Sequence, residues 1–210
     1  MASTSRENIL QKIKQALATP VPVPFPASEG NESVFLPSKQ ELEIEFAENF
    51  SKLEGRFSFC ADENELVSQL QTLVSLRKWT KLYSRETAMQ DSLSNAGFTT
   101  IYSDDLAGCD AAITGCEALI ARTGSIVMSS AQLSGRTTSV YAPVHICIAY
   151  TKQLVYDISE SLQQLREGYR QQFPSMVTLA TGPSRTADIE KTLVVGVHGP
   201  KEVFCFLVDS

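Results

Sequence analysis

The chain has 210 residues, 43% of them hydrophobic and 20% charged, with a formal net charge of −6. This is the balance of an ordinary globular protein with room for one sizeable core, and it lacks the basic stripe that a nucleic-acid binder needs to neutralise phosphates. No apolar run approaches the roughly 20 residues of a bilayer-spanning helix, and "MASTSRENILQKIKQAL" has no signal-type apolar block, so a cytoplasmic location is expected.

Ser5 to Leu17 places Ile9, Leu10, Ile13 and Leu17 on one face of a helix. The alternating Pro20, Pro22, Pro24 and Pro26 then permit neither helix nor central strand, so an extended, polyproline-like arm follows. A short amphipathic helix on a stiff tether cannot bury its own stripe. It must dock on the body, on a second copy of the chain or on another protein, and the arm offers a route to a homo-oligomer. Residues 1–37 are therefore set apart from a body of residues 38–210.

The body opens with a capping-box pattern, Ser38 with Glu41, ahead of Leu42, Phe46, Phe50 and Leu53 at helical spacing, and Gly55 should end that helix. An alternation follows: strand Arg56–Cys60, helix from Asp62 through Leu76, strand Lys81–Ser84, a helix to Asn95–Gly97, strand Phe98–Tyr102. Asp62 with Glu65 repeats the capping arrangement, and Leu66, Val67, Leu70, Leu73 and Val74 form the buried stripe. Strands and helices in turn, with short connections, predict an α/β domain whose mostly parallel central sheet carries helices on both faces. The second half adds strands at Ala111–Thr114, Ser125–Met128, His145–Tyr150 and Met176–Ala180. A helix capped by Asp157 and Glu160 precedes the last of these, and "EVFCFLVD" closes the chain as a strand buried on both faces.

The five cysteines, Cys60, Cys109, Cys116, Cys147 and Cys205, include no C-x-x-C pair. Neither an iron–sulfur ligand run nor a zinc spacing is present, and the thiols are expected to be reduced and buried. No metal and no cofactor are expected in this chain. Phosphate-loop, dinucleotide, zinc-protease and serine-hydrolase motifs are missing as well.

Thr181 to Pro200, "TGPSRTADIEKTLVVGVHGP", concentrates the candidate chemistry. It follows a predicted strand, so its first loop should lie at a strand C-terminal end, where open α/β sheets bind ligands. Gly182 and Pro183 suit a turn, and Ser184 or Thr186 can cap a helix whose free N–H groups would face an anion, with Arg185 as a two-pronged donor. The plainer reading is helix capping alone, with Thr186 and Asp188 in a first turn; Asp188 would repel an anion unless it pairs with Arg185 or accepts from a ligand hydroxyl. His198, between Gly196 and Gly199, is either an acid–base group or a turn histidine bonded to a neighbouring carbonyl. Thr123, Gly124 and Ser125 form a second loop that lines a cleft or simply turns the chain. His145, opening an apolar strand, reads as structural.

Together, "ARTGSIVMSS", "PVHICIA", "TGPSRTADIE" and "LVVGVHGPKEVFCFLVD", in this order, resemble the lactate-utilisation protein C family, built on the LUD domain. The resemblance implies a three-layer α/β domain similar to sugar-phosphate isomerases and coenzyme A transferases, which bind anionic metabolites at strand ends. It also implies a cluster-free component of a system oxidising L-lactate to pyruvate, with iron–sulfur clusters in partner proteins. Gly182, Ser184, Arg185, Thr186, Asp188, Thr123, Gly124 and Ser125 would then hold a small anion. Arg185 would clamp its carboxylate, and His198 would take a hydroxyl proton if chemistry occurs on this chain. The alternative is a stand-alone enzyme on a phosphorylated or acyl metabolite, for which Glu117, Asp188 and Glu190 are the nearby carboxylates.

Overall fold

The computed structural model describes residues 5–18, 37–38, 40–189, 192–196 and 198–209, with the backbone alone for 186–189 and 192–194. The proline arm, with Pro20, Pro22, Pro24 and Pro26, and Glu190 lie outside the described residues. The chain divides into two units, residues 1–37 and 38–210. In the first, helix α1 spans Ser5–Leu17, with Glu7 in its first turn and Lys14 in its last, the order that suits a helix dipole.

The second unit begins with helix α2, Leu42–Lys52. Its N-cap is Glu41, in extended backbone and without a side-chain cap bond. The expected Ser38–Glu41 box does not form, because the Ser38 hydroxyl donates instead to the Glu45 carboxylate and the Gln40 carbonyl. Strand β1, Arg56–Cys60, leads to helix α3, Glu63–Arg77. Here capping works: Asp62 Oδ1 accepts from the Glu65 N–H, and Glu65 Oε2 accepts from the Ala61 N–H, both at 2.8 Å. Strand β2, Leu82–Tyr83, and helix α4, Thr87–Asn95, follow. The expected strand at Phe98–Tyr102 reduces to one bridge between Tyr102 and Leu82. A two-residue β2 offers almost no ladder to extend, and Ile101 is left 91% exposed.

Strands β3 (Ala111–Thr114), β4 (Ala118–Ile120) and β5 (Ser125–Ser129) come next, then the one-turn helix α5 (Thr138–Tyr141) and strand β6 (Val144–Tyr150). Strand β7 is Leu154–Val155, helix α6 Ile158–Tyr169, strand β8 Val177–Ala180, and β11 closes the chain at Glu202–Val208. Between them the segment expected to be helical is a hairpin of β9, Arg185–Ile189, antiparallel to β10, Thr192–Val195. Thr186, Ile189, Thr192, Val194 and Val195 are β-branched, and two residues separate the strands, so local preference favours strand pairing over a short helix.

Five parallel strands make the central sheet, in the order β1-β11-β6-β3-β2. Alternation along each strand splits its side chains between two cores. Ile113, Ile146, Ile148, Phe204 and Phe206 face α3 and α4 through Leu66, Leu70 and Leu93. Cys147, Ala149, Val203, Cys205 and Leu207 face the other way, onto Phe46 and Phe50 of α2 and onto Leu119, Ile126 and Met128. Those last three belong to a second, mixed sheet, β7-β4-β5-β8, whose far face, with Ile120 and Val127, is covered by Leu165 of α6. The expected α/β architecture holds: helices lie on both sides, and the second sheet is interposed between the central sheet and α6. Among the described residues, no helix is long and apolar enough to cross a membrane.

Candidate functional site

β6 and β11 run side by side with Val144 opposite Glu202 at their first residues. The Lys201 N–H donates to the Pro143 carbonyl at 2.8 Å, tying the two entering chains together. Pro143 holds Ala142 in extended backbone (φ −68°, ψ 138°), which ends α5. Ala142 is buried against Tyr83 and Ala112. That anchor keeps the adjacent Tyr141 at the surface, 66% exposed.

On the opposite side the chain leaves β10, turns at Gly196 and returns through His198, Gly199 and Pro200 to Lys201. Gly196 takes φ +75°. A Cβ there would sit 2.3 Å from Lys201 Cγ, so the missing side chain is what lets the lysine stem fold across the turn. Ser184 fastens the turn from below: the Gly196 N–H donates to its carbonyl, and its own N–H donates to the Pro200 carbonyl, each at 2.9 Å. The result is a cavity of about 340 Å³ lined by Val140, Tyr141, Pro143, His198, Lys201 and the two glycines. His198 and Lys201 are exposed, and among the described residues neither side chain makes a hydrogen bond or ion pair. No carboxylate is among the described lining residues. An ammonium, an imidazole nitrogen and a phenol hydroxyl over an apolar wall suit a small anion with one further polar group.

The other sequence candidates gather one step away, around the end of α2. Arg185 Nη2 donates to the Leu53 carbonyl at 2.8 Å and lies 3.4 Å from Glu54. Gly182 also lies against that carbonyl, where a Cβ would come within 2.4 Å of the oxygen. The hydroxyls of Thr123, Ser125 and Thr181 form a chain with spacings of 2.7 and 2.8 Å. Gly124 packs on the α2 backbone at Asn49 and Phe50. Of Thr186 and Asp188 the structure describes only the places in β9. Of the sequence candidates with described side chains, His198 alone lines the cavity, Ser184 supports it through the main chain, and Arg185 is turned to the helix end. Tyr141 and Lys201 were missed by motif reading; the available signal was their position beside Pro143 and Pro200, each just ahead of an apolar strand.

One expectation about strand ends is corrected. β8, which precedes Thr181, pairs antiparallel with β5, so the loop after it is not at the C-terminal edge of a parallel sheet. The cavity sits at the N-terminal ends of β6 and β11. At the C-terminal ends of β2 and β3 the polar groups are spent on one another. Glu86 Oε2 accepts from the Gly115 N–H at 2.9 Å while Oε1 accepts from the Ser134 hydroxyl. Thr114 Oγ1 donates to the Gly115 carbonyl at 2.9 Å and lies 2.8 Å from His145 Nε2. With the threonine proton so used, His145 Nε2 must be the donor, which leaves Nδ1 bare, buried and without a partner among the described residues. Burial pushes His145 down to about 4, so the ring is neutral.

All five cysteines are free and buried. Cys147 pairs in register with Cys205 and hydrogen-bonds to both Cys116 and Cys205, making a row of three thiols inside the core. Among the described residues, no three His, Cys, Asp or Glu side chains are placed to hold one metal ion. Glu117, the carboxylate of the alternative enzyme reading, lies away from this cavity, bonded to Tyr169 and Ser129.

A family model described as the LUD domain matches residues 99–208, more than half of the chain. Among curated relatives, an uncharacterized protein of Neisseria meningitidis serogroup B is 35% identical over 94 residues, covering 45% of this chain and 40% of its own length. A lactate utilization protein C of Macrococcus caseolyticus is 35% identical over 100 residues (47% and 43%). One of Deinococcus radiodurans is 33% identical over 105 residues (50% and 49%). The chain thus spans less than half the length of the curated relatives it matches. The crystal structure of a DUF162 family protein from Deinococcus radiodurans superposes with a TM-score of 0.61 at 18% identity, over 82% of this chain and 99% of that one. At that identity the likeness establishes the fold.

Proposed function

Because the chain belongs to the LUD domain family, we propose that it serves in lactate utilisation, the role for which several of its curated relatives are named, as the component that binds a small 2-hydroxy acid or its keto product. The observation that carries this reading is the cavity at the start of β6 and β11, where Lys201 and His198 face one space and none of the described lining residues is a carboxylate. Lys201 neutralises the acid's carboxylate. The His198 ring and the Tyr141 hydroxyl reach the oxygen on the adjacent carbon, and Val140 with Pro143 takes the methyl group. About 340 Å³ holds a three-carbon acid and several waters, each of which needs about 30 Å³.

Oxidising lactate to pyruvate releases two protons and two electrons. His198 is the group placed to accept the hydroxyl proton. The carbon-bound hydrogen leaves as a hydride equivalent, one proton with both electrons, to an acceptor group carried by the iron–sulfur partner proteins of the same system, whose clusters then take on the electrons. The thiols of this chain do not offer a cluster site, since Cys116, Cys147 and Cys205 are enclosed by Phe46, Phe50 and Leu119. Arg185 contributes to the fold here, and Lys201 takes the clamping role expected of it.

Calorimetric titration of the purified chain with L-lactate and pyruvate tests the reading. Saturable binding of at least one acid is expected, weakened about tenfold or more by Lys201→Met, in line with loss of a charge-assisted contact. His198→Ala should weaken lactate more than pyruvate. Absence of saturable binding to wild-type protein, or binding indifferent to Lys201→Met, overturns it.

A further inference from the structure

A second polar cavity lies where α6 covers β4, and its chemistry is the reverse of the first. Glu117 precedes β4, and its Oε1 accepts hydrogen bonds from the Tyr169 hydroxyl at 2.7 Å and from the Ser129 hydroxyl. Oε2 has no partner among the described residues. Ser161, Gln164, Leu165 and Gly168 recur at helical spacing on α6 and line the cavity with Glu117 and Tyr169, around about 280 Å³. Ser161 is 1% exposed, and among the described residues its buried hydroxyl has no hydrogen-bond partner. A buried hydroxyl in that state is rare and costly, and a group bound in the cavity would satisfy it.

We propose that this cavity binds a small ammonium-bearing metabolite, with Glu117 as its counter-ion, the Tyr169 ring against the cation and the Ser161 hydroxyl accepting one of its N–H hydrogens. The choice of charge follows from what is already present. Two hydroxyl donors are spent on Oε1, and no lysine or arginine is among the described residues that line the space, so what the site lacks is a positive charge at Oε2. A carboxylate beside an aromatic ring is a favourable setting for an organic cation. Leu165 and Ala118 provide an apolar wall for a short carbon chain. The size is just below the usual range of ligand cavities, about 300 Å³ and upward, which restricts the ligand to a few heavy atoms. A free carboxylate anion would meet Glu117 and be repelled, so this site and the anion cavity select opposite charges.

The test is an NMR titration of the full isotope-labelled chain with ethanolamine, and with ethylene glycol as an uncharged counterpart. Ethanolamine should give saturable shifts confined to the amides around Glu117, Ser161 and Gly168, at least about tenfold tighter than the glycol. Glu117→Gln should lose that preference. Because Glu117 also holds Tyr169 and Ser129, Ser161→Ala is the companion variant: it deletes only an unpaired hydroxyl, should melt no lower than wild type, and should weaken ethanolamine severalfold. The proposal is overturned if wild type shows no saturable shift at these amides, if the glycol binds equally well, or if ethanolamine affinity is unchanged in a folded variant at either position.

Discussion

Arg185 Nη2 lies 2.8 Å from the carbonyl oxygen of Leu53, so the most conspicuous cation of the chain's most distinctive motif terminates a helix. Leu53 is the C-cap of α2, and the last carbonyls of a helix carry partial negative charge with no intrahelical partner. A guanidinium there satisfies one of them. It also ties the start of the β9 hairpin to the first helix of the body.

Arg185→Ala should therefore act on stability. One charge-assisted bond to a partly exposed carbonyl contributes about 1 kcal/mol, which in a chain of this size lowers the melting temperature by roughly 2–4 °C. Acid binding at the Lys201 cavity should be unchanged. Thermal melts and a lactate titration on the same preparation check both; a loss of affinity at unchanged melting temperature would return Arg185 to the ligand.

Gly124→Ala should be far more damaging. Gly124 has φ +60°, and an added Cβ would lie 2.5 Å from the Phe50 nitrogen and 2.7 Å from the Asn49 carbonyl carbon. Both obstacles are backbone of α2, held in place by Asn49 Nδ2 donating to the Ala121 and Arg122 carbonyls. Neither can give way cheaply, so a loss of roughly 2–4 kcal/mol is expected by chemical denaturation, well above the cost of a strained φ alone.

Stability should fall as pH drops from neutral. His145 has a folded value near 4 against an ordinary 6.5, because burial disfavours its charged form. Between those values the unfolded chain binds the proton and the folded chain does not. Unfolding then becomes easier as pH falls through this window and levels off below it, by on the order of 3 kcal/mol in all. Urea midpoints for wild type and His145→Gln from pH 7.5 to 4 check the sign: the two curves should converge as the pH falls, the variant lacking this component of the slope.

The thiols should be silent in the native protein. Burial raises Cys60 to about 11, and a hydrogen bond to Cys147, reinforced by burial, holds Cys116 well above the ordinary thiol range. Since the thiolate is the reactive form, an aromatic disulfide reagent should label none of the five in buffer and all five in denaturant. Rapid native labelling would show that the core opens locally.

Much of the fold was legible because periodicity and capping are local. Asp62 with Glu65 and the stripe from Leu66 to Val74 specify α3 wherever it is placed, and the apolar run ending at Val208 specifies a strand with two covered faces. The same local logic misread Ser184 to Glu190, where hydroxyl and acidic residues imitate a helix start while the β-branched residues on both sides pair as a hairpin. It also missed β4 and β7, whose three and two residues carry no period of their own and exist as strands only through their neighbours.

By itself the sequence determined the α/β class, the family and the burial of the cysteines, since these follow from composition, spacing and the order of motifs along the chain. Only the tertiary structure decided which charges share a space. Arg185 and His198 are thirteen positions apart and lie near one another, yet their side chains serve different purposes, one on the Leu53 carbonyl and the other beside Lys201. Glu117 meets Tyr169 across 52 residues. Such pairings depend on strand order and on the hand of each crossover, which set distances through space that no local spacing encodes.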